Sequence, residues 1–198
     1  MSEERTTRRI LIWIIGATLT LLLIGGIGIL VNGVGPTHSP HRNAWKSLRD
    51  IASAEAHLRE HDRDDDQIRD YWVGDVSQLY LRKGRGEQIR LIERSIAMAD
   101  ASPSAPLPDT CSRAAYWFRA MTTDEAESPY DRGGGHNPAK FGFCAYPEQY
   151  RSDGMKFTFI VNEQGIIWKK DVGGASVLQW PKSPTAEGWV KVVAGTDL

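Results

Sequence analysis

The chain has 198 residues, a formal net charge of −1, and is 41% hydrophobic, 25% charged and 9% aromatic. That length holds one domain of ordinary size plus an accessory segment and excludes a large multi-domain enzyme. The composition is neither collagen-like nor wholly disordered. The lack of a basic excess argues against a dedicated nucleic-acid binder.

Residues 10–31 read ILIWIIGATLTLLLIGGIGILV, 22 positions without a charge. As a helix this run would measure ~33 Å, about one bilayer core. Thr18 and Thr20 can bond back to the helix, and no polar face interrupts the run. Arg5, Arg8 and Arg9 precede it, and the first cation after it is Arg42. The positive-inside rule then puts the N-terminus in the cytoplasm and the bulk of the chain outside. A cleaved signal peptide has a shorter apolar region and a small-x-small site, and Val31-Asn32-Gly33 is a poor one. The expected organisation is a cytoplasmic tail (1–9), a transmembrane helix (10–31), a linker (32–41) and an extracytoplasmic domain (42–198). Two glycines and two prolines mark the linker.

Asn43 to Glu60 reads as a helix capped by Asn43, with Ala44, Leu48, Ile51, Ala54 and Leu58 as its apolar stripe. An acidic stretch, Asp62 to Asp70, follows. Tyr71 to Leu81 supplies Val73, Val76, Leu79 and Tyr80 as core candidates. Glu87 to Asp100 reads as a second helix, with Ile89, Ile92, Ile96 and Ala99 on one face. A proline-rich connector, Ala101 to Pro108, comes next.

The period then changes to two. Ala115–Met121, Phe141–Tyr146, Phe157–Val161, Ile166–Lys170 and Trp189–Val193 read as strands. Asn162-Glu163-Gln164-Gly165 is a tight turn between two of them. Gly133 to Pro138 reads as a flexible loop. The short connections imply an antiparallel sheet, and helices before strands imply an α+β class. Trp45, Trp72, Trp117, Trp168, Trp180 and Trp189 lie in or beside these elements, so core packing is their expected role.

Three constellations bear on chemistry. Asp62, Asp64, Asp66 and Asp70 alternate like the ligands of a calcium loop, since calcium prefers several carboxylate oxygens. Gln67 stands where an EF-hand needs its glycine, and Val73 where it needs a bidentate glutamate. An EF-hand is thereby rejected and a looser calcium loop retained. His57-Leu58-Arg59-Glu60-His61 spells the inverted zinc-peptidase pattern, in which Glu60 would act on zinc-bound water, with Glu87 or Glu93 as third ligand. Two solvated histidines at a helix end explain the same letters. Cys111 and Cys144 are the two cysteines. Outside the cytoplasm they are expected to form a disulfide, worth ~3–4 kcal/mol for a loop of this size.

Further residues carry a resemblance. Tyr116-Trp117-Phe118-Arg119, Ala145-Tyr146-Pro147 and Thr158-Phe159-Ile160-Val161-Asn162-Glu163-Gln164-Gly165 follow LRDIASAEAHLRE and the alternating aspartates in the order seen in one protein family. Across most of 44–193 the chain resembles that family of uncharacterised bacterial membrane-anchored proteins with a pilin-like head, similar to type II secretion pseudopilins. The resemblance implies two helices packed on an antiparallel sheet of about four to five strands, in a bacterial inner membrane. The chain departs from secreted pilins in one respect. It has no glutamate early in the apolar run, no glycine before Ile10, and a Gly-Pro break after the membrane segment. A fixed head rather than a filament subunit follows.

The resulting expectation is a single-pass, non-enzymatic envelope protein that contacts the bilayer through 10–31, with an envelope protein as its partner. The alternatives are a calcium-stabilised secretion component and a zinc hydrolase using His57, Glu60 and His61.

Overall fold

The computed structural model describes residues 39–105 and 107–193. The boundary between compact units falls after Thr37, and the described residues belong to the second unit, His38–Leu198. The expected membrane span, 10–31, lies outside the described residues. Among the described residues, no helix is long and apolar enough to cross a membrane.

Among the described residues, helix α1, Pro40–His61, is the one long helix. Pro40 starts it, because its locked φ suits a first helical turn and its missing N–H has no partner there anyway. The cap residue is Ser39, with no side-chain cap bond, and not Asn43. The expected stripe is the buried face: Ala44, Leu48, Ile51, Ala54 and Leu58, joined by Trp45, Ser47 and Glu55. Helix α1 ends where Asp62 turns left-handed and its N–H reaches Leu58 O.

The frame is a five-stranded antiparallel sheet, ordered β4-β6-β7-β8-β9. Its strands are β4 (Tyr116–Ala120), β6 (Gly142–Pro147), β7 (Phe157–Asn162), β8 (Trp168–Asp171) and β9 (Val190–Lys191). The register pairs Phe118 with Ala145 and Ala145 with Phe159. This aligns Tyr116, Phe118, Phe143, Phe159 and Val161 on one face. Helix α1 covers that face, and His41 meets the rings of Tyr116, Phe157 and Phe159. The other face carries Cys144, Thr158 and Ile160, all fully buried. The segment around Ala175–Val177 covers it, with Thr158 Oγ1 donating to Ala175 O. Strands β6 and β7 are therefore buried on both faces, unlike a sheet with one wet side. Gly165 turns left-handed after β7 and donates its N–H to Asn162 O, as the turn residues require.

Two short ribbons flank the sheet: β1 (Tyr71–Trp72) with β5 (His136–Asn137), and β2 (Lys83–Gly84) with β3 (Glu87–Gln88). Two short helices, α2 (Gln78–Leu81) and α3 (Arg94–Met98), complete the described elements.

The expected head of two helices packed on an antiparallel sheet is corrected by the segment Glu87–Asp100. The segment Glu87–Asp100 is not a helix. It begins as strand β3 of a hairpin turned at Arg85-Gly86, passes through a left-handed Arg90, and becomes helical only over Arg94–Met98. Ile92, Ile96 and Ala99 are buried as expected. Irregular chain that touches the core every third or fourth residue leaves the same apolar spacing as a helix. The architecture of the described residues is sheet-based with one long helix, and the pilin-like reading of the head does not stand.

The second half of that segment also protects the sheet. Ala101 N and Phe118 N exchange hydrogen bonds with Phe118 O and Ala99 O at 2.8 Å, covering the open edge of β4. Asp100 and Asp75 anchor this seam from inside. Asp100 accepts from Ser77 N and Ser102 N, and Asp75 accepts from Ser77 Oγ, Gln78 N and Ser104 N. Burial and the neighbouring Asp75 charge push the Asp100 carboxyl up to about 6, against the pull of its backbone hydrogen bonds.

Candidate functional site

The acidic segment between α1 and β1 does not fold as a four-carboxylate cage. Asp62 serves the turn, its Oδ2 accepting from Gln67 N at 3.2 Å. Asp66 Oδ1 accepts from Ile68 N at 2.8 Å. Asp65 and Gln67 are left-handed. These local bonds offset the roughly 1 kcal/mol or more that each such residue costs. Asp64 turns inward, and its side chain is only 4% exposed. Asp70 is buried at the start of β1.

What meets these carboxylates comes from distant parts of the chain. Arg82, the residue after α2, places Nη2 2.7 Å from Asp64 Oδ2 and 3.7 Å from Asp66 Oδ2. The ribbon of β1 with β5 pairs Trp72 with His136 and so brings the imidazole beside Asp70. His136 Nδ1 lies 3.0 Å from both Asp70 oxygens, and its Nε2 lies 2.9 Å from Arg82 Nη2. Guanidinium has no acceptor, so the network assigns the imidazole: Nδ1–H donates to Asp70, and Nε2 accepts from Arg82.

Trp72 forms the wall. Arg82 stacks over its ring at 4.5 Å, and the His136 ring meets it edge-on at 5.4 Å. Its Nε1–H donates to Asp75 O. Gly135 allows this packing. It is left-handed, and a Cβ there would lie 2.5 Å from the Trp72 ring. Asp131 Oδ1 holds the preceding turn by accepting from Gly133 N and Gly135 N. The glycine stretch is therefore an ordered arm that presents His136, not a flexible loop.

Glu55 lies on the buried face of α1. It is fully buried, its Oε2 accepts from Trp72 N at 2.9 Å, and its Oε1 has no hydrogen-bond partner. Burial holds its carboxyl well above the usual range, opposed by the Trp72 N–H and Arg82, and reinforced by Asp70 and Asp64. The Asp64 carboxyl is also raised, because burial outweighs the Arg82 charge.

The site thus brings together Asp64, Asp66 and Asp70 of the four expected carboxylates and turns Asp62 to the helix end. It adds Arg82, His136, Trp72 and Glu55, which sequence reasoning missed. Glu55 did leave a signal: it stands in the 44, 48, 51, 55, 58 stripe, where a charge is out of place. Among the described residues, Asp64, Asp66 and His136 are the group whose ligand atoms all lie within 4.8 Å of one another.

The other constellations are dispersed. His57 and His61 stack at 4.3 Å on the helix end, and His61 Nδ1 faces His57 O. Glu60 is 75% exposed. Glu93 pairs with Arg113, and Glu87 belongs to the β2–β3 ribbon. Cys111 is exposed and Cys144 buried, both as free thiols, so the expected disulfide is not formed. Burial among the sheet residues pushes the Cys144 thiol up to about 11. Trp45, Trp180 and Trp189 are buried, and Trp72, Trp117 and Trp168 half-buried, in keeping with packing roles.

Compared with known proteins, residues 43–183 match the model of a family described as "Protein of unknown function (DUF2950)". No curated protein and no solved structure matches the chain.

Proposed function

The chain belongs to the DUF2950 family, whose description names no activity, and from that premise we propose that it is a single-pass envelope protein of a bacterial inner membrane. Its N-terminus is cytoplasmic, and the domain formed by His38–Leu198 is an extracytoplasmic interaction module. The observation that carries this reading is the uncharged run Ile10–Val31, with Arg5, Arg8 and Arg9 before it and no cation after it until Arg42.

The chemistry of the domain supports a binding rather than a catalytic role. The charged side chains of its most concentrated cluster are engaged with one another. Asp70 holds His136 and Arg82 holds Asp64, and in a separate group Lys140 holds Asp124 and Glu125. Cys144, a potential nucleophile, is buried with its thiol protonated at neutral pH. The partner is an envelope protein, with the bilayer met through residues 10–31.

Fractionation tests the anchor. The full chain stays in the membrane pellet after alkaline carbonate washing, with its N-terminus intact by mass spectrometry. A variant lacking residues 10–31 is soluble. Release of the full chain by carbonate, or a mature N-terminus near residue 33, contradicts the proposal.

A further inference from the structure

Arg82 Nη2 stands among three donor atoms: Asp64 Oδ2 at 2.7 Å, Asp66 Oδ2 at 3.7 Å and His136 Nε2 at 2.9 Å. Two carboxylates and an imidazole nitrogen thus surround one cationic nitrogen. Protein ligands present themselves to a metal ion in this way. The imidazole is also prepared for that use. Asp70 accepts from Nδ1–H at 3.0 Å, which turns the Nε2 lone pair inward, and metal-binding histidines are held by a carboxylate in the same manner.

A second observation points to a missing ligand. Glu55 is fully buried beside this cluster, with Arg82, Asp70 and Asp64 as its charged neighbours, and its Oε1 has no partner. A buried carboxyl oxygen without a partner keeps its full desolvation cost, so such an atom is rarely left idle. Charge points the same way, since the carboxylates of Asp64 and Asp66 both face the one guanidinium of Arg82.

We propose that Asp64, Asp66 and His136 form a site for Zn²⁺, with Asp70 orienting His136, and that Arg82 is the resident counter-charge which the metal displaces. The imidazole nitrogen decides the ion. Calcium takes oxygen ligands alone, whereas a mixed nitrogen and carboxylate set suits zinc. The calcium loop expected from Asp62, Asp64, Asp66 and Asp70 is thereby replaced by a different ligand set and a different metal. Arg82 stacks on Trp72 in the same pose that places Nη2 among these ligands, so its side chain turns away when the metal binds. Closing the donors to zinc distances of about 2.0–2.2 Å draws the 62–70 segment toward β5.

The test is calorimetric titration of the full chain in detergent with Zn²⁺, and separately with Ca²⁺, after chelator treatment. The proposal expects Zn²⁺ to bind with one-site stoichiometry. Asp66→Asn and His136→Gln should each weaken binding by about 100-fold or more, and Asp70→Asn by about 10–100-fold. Arg82→Met removes the competing cation and should tighten binding about tenfold or more, an effect that loss of structure cannot imitate. Circular dichroism checks that each variant folds, and Asp66→Asn, at an exposed position, serves if His136→Gln does not. Three results would overturn the site: Zn²⁺ binding that survives Asp66→Asn but is lost on His57→Ala, no binding of Zn²⁺ below about 100 µM (~5.5 kcal/mol), or tighter binding of Ca²⁺ than Zn²⁺.

Discussion

Asp100→Asn offers a quantitative check on the seam between α2 and the sheet. Asp100 is 1% exposed, and its carboxyl is raised from 3.8 to about 6, first by burial and then by Asp75. The folded state therefore holds this proton more tightly than the unfolded state. Its contribution to stability is full below pH 3.8, declines as pH rises toward 6, and is absent above. At 1.36 kcal/mol per pH unit the whole span is about 3 kcal/mol. Asparagine cannot titrate. Its amide also leaves Ser77 N or Ser102 N short of an acceptor, which costs ~1–3 kcal/mol at every pH. Urea melts followed by tryptophan fluorescence at pH 4.5, 5.5, 6.5 and 7.5 separate the two effects. The gap between the native chain and Asp100→Asn should be widest at pH 4.5 and narrow by about 2 kcal/mol at pH 7.5. Parallel profiles, with the gap constant within ~0.5 kcal/mol, would refute the burial argument.

Other perturbations separate strong from weak contacts. Gly135→Ala forces a side chain into a left-handed residue, against a ring 2.5 Å away; a loss of about 2–4 kcal/mol in thermal or urea melts is expected. Arg82→Ala strips the counter-charge from Asp64, whose side chain is 4% exposed, and should cost about 2–4 kcal/mol at pH 7 in metal-free buffer. By contrast, Arg151 and Asp153 are 66% and 75% exposed, and Arg151→Ala should stay within about 0.5 kcal/mol of the native chain by the same melts. A loss at Arg151 as large as that at Arg82 would mean that burial does not govern these pairs.

The parts of the fold with a regular period were legible from sequence. Alternating burial in YWFRA reports a strand because one side chain in two faces α1, and the short aromatic and β-branched run FTFIVN reports a strand buried on both faces. The α1 stripe is equally plain. Glu87–Asp100 misled, because Ile89, Ile92, Ile96 and Ala99 keep helical spacing while Arg85-Gly86 turns a hairpin and Arg90 adopts a left-handed backbone. The site was half legible. The aspartates stand together in sequence, but their partners do not: Arg82 is 18 residues beyond Asp64, and His136 is 66 beyond Asp70. A two-residue ribbon, β1 with β5, makes that meeting. Pairing so short leaves no periodic trace. Only Glu55, a charge within an apolar stripe, marked the place.

The sidedness of the domain is the central claim, and the protein carries its own probe for it. Cys111 is exposed, whereas Cys144 is buried with its thiol raised to about 11. A membrane-impermeant maleimide applied to spheroplasts producing the full chain therefore reads the position of Cys111 alone. Labelling before lysis, abolished by Cys111→Ser, is the predicted result. Labelling that appears only after the membrane is broken would place the domain in the cytoplasm and contradict the account.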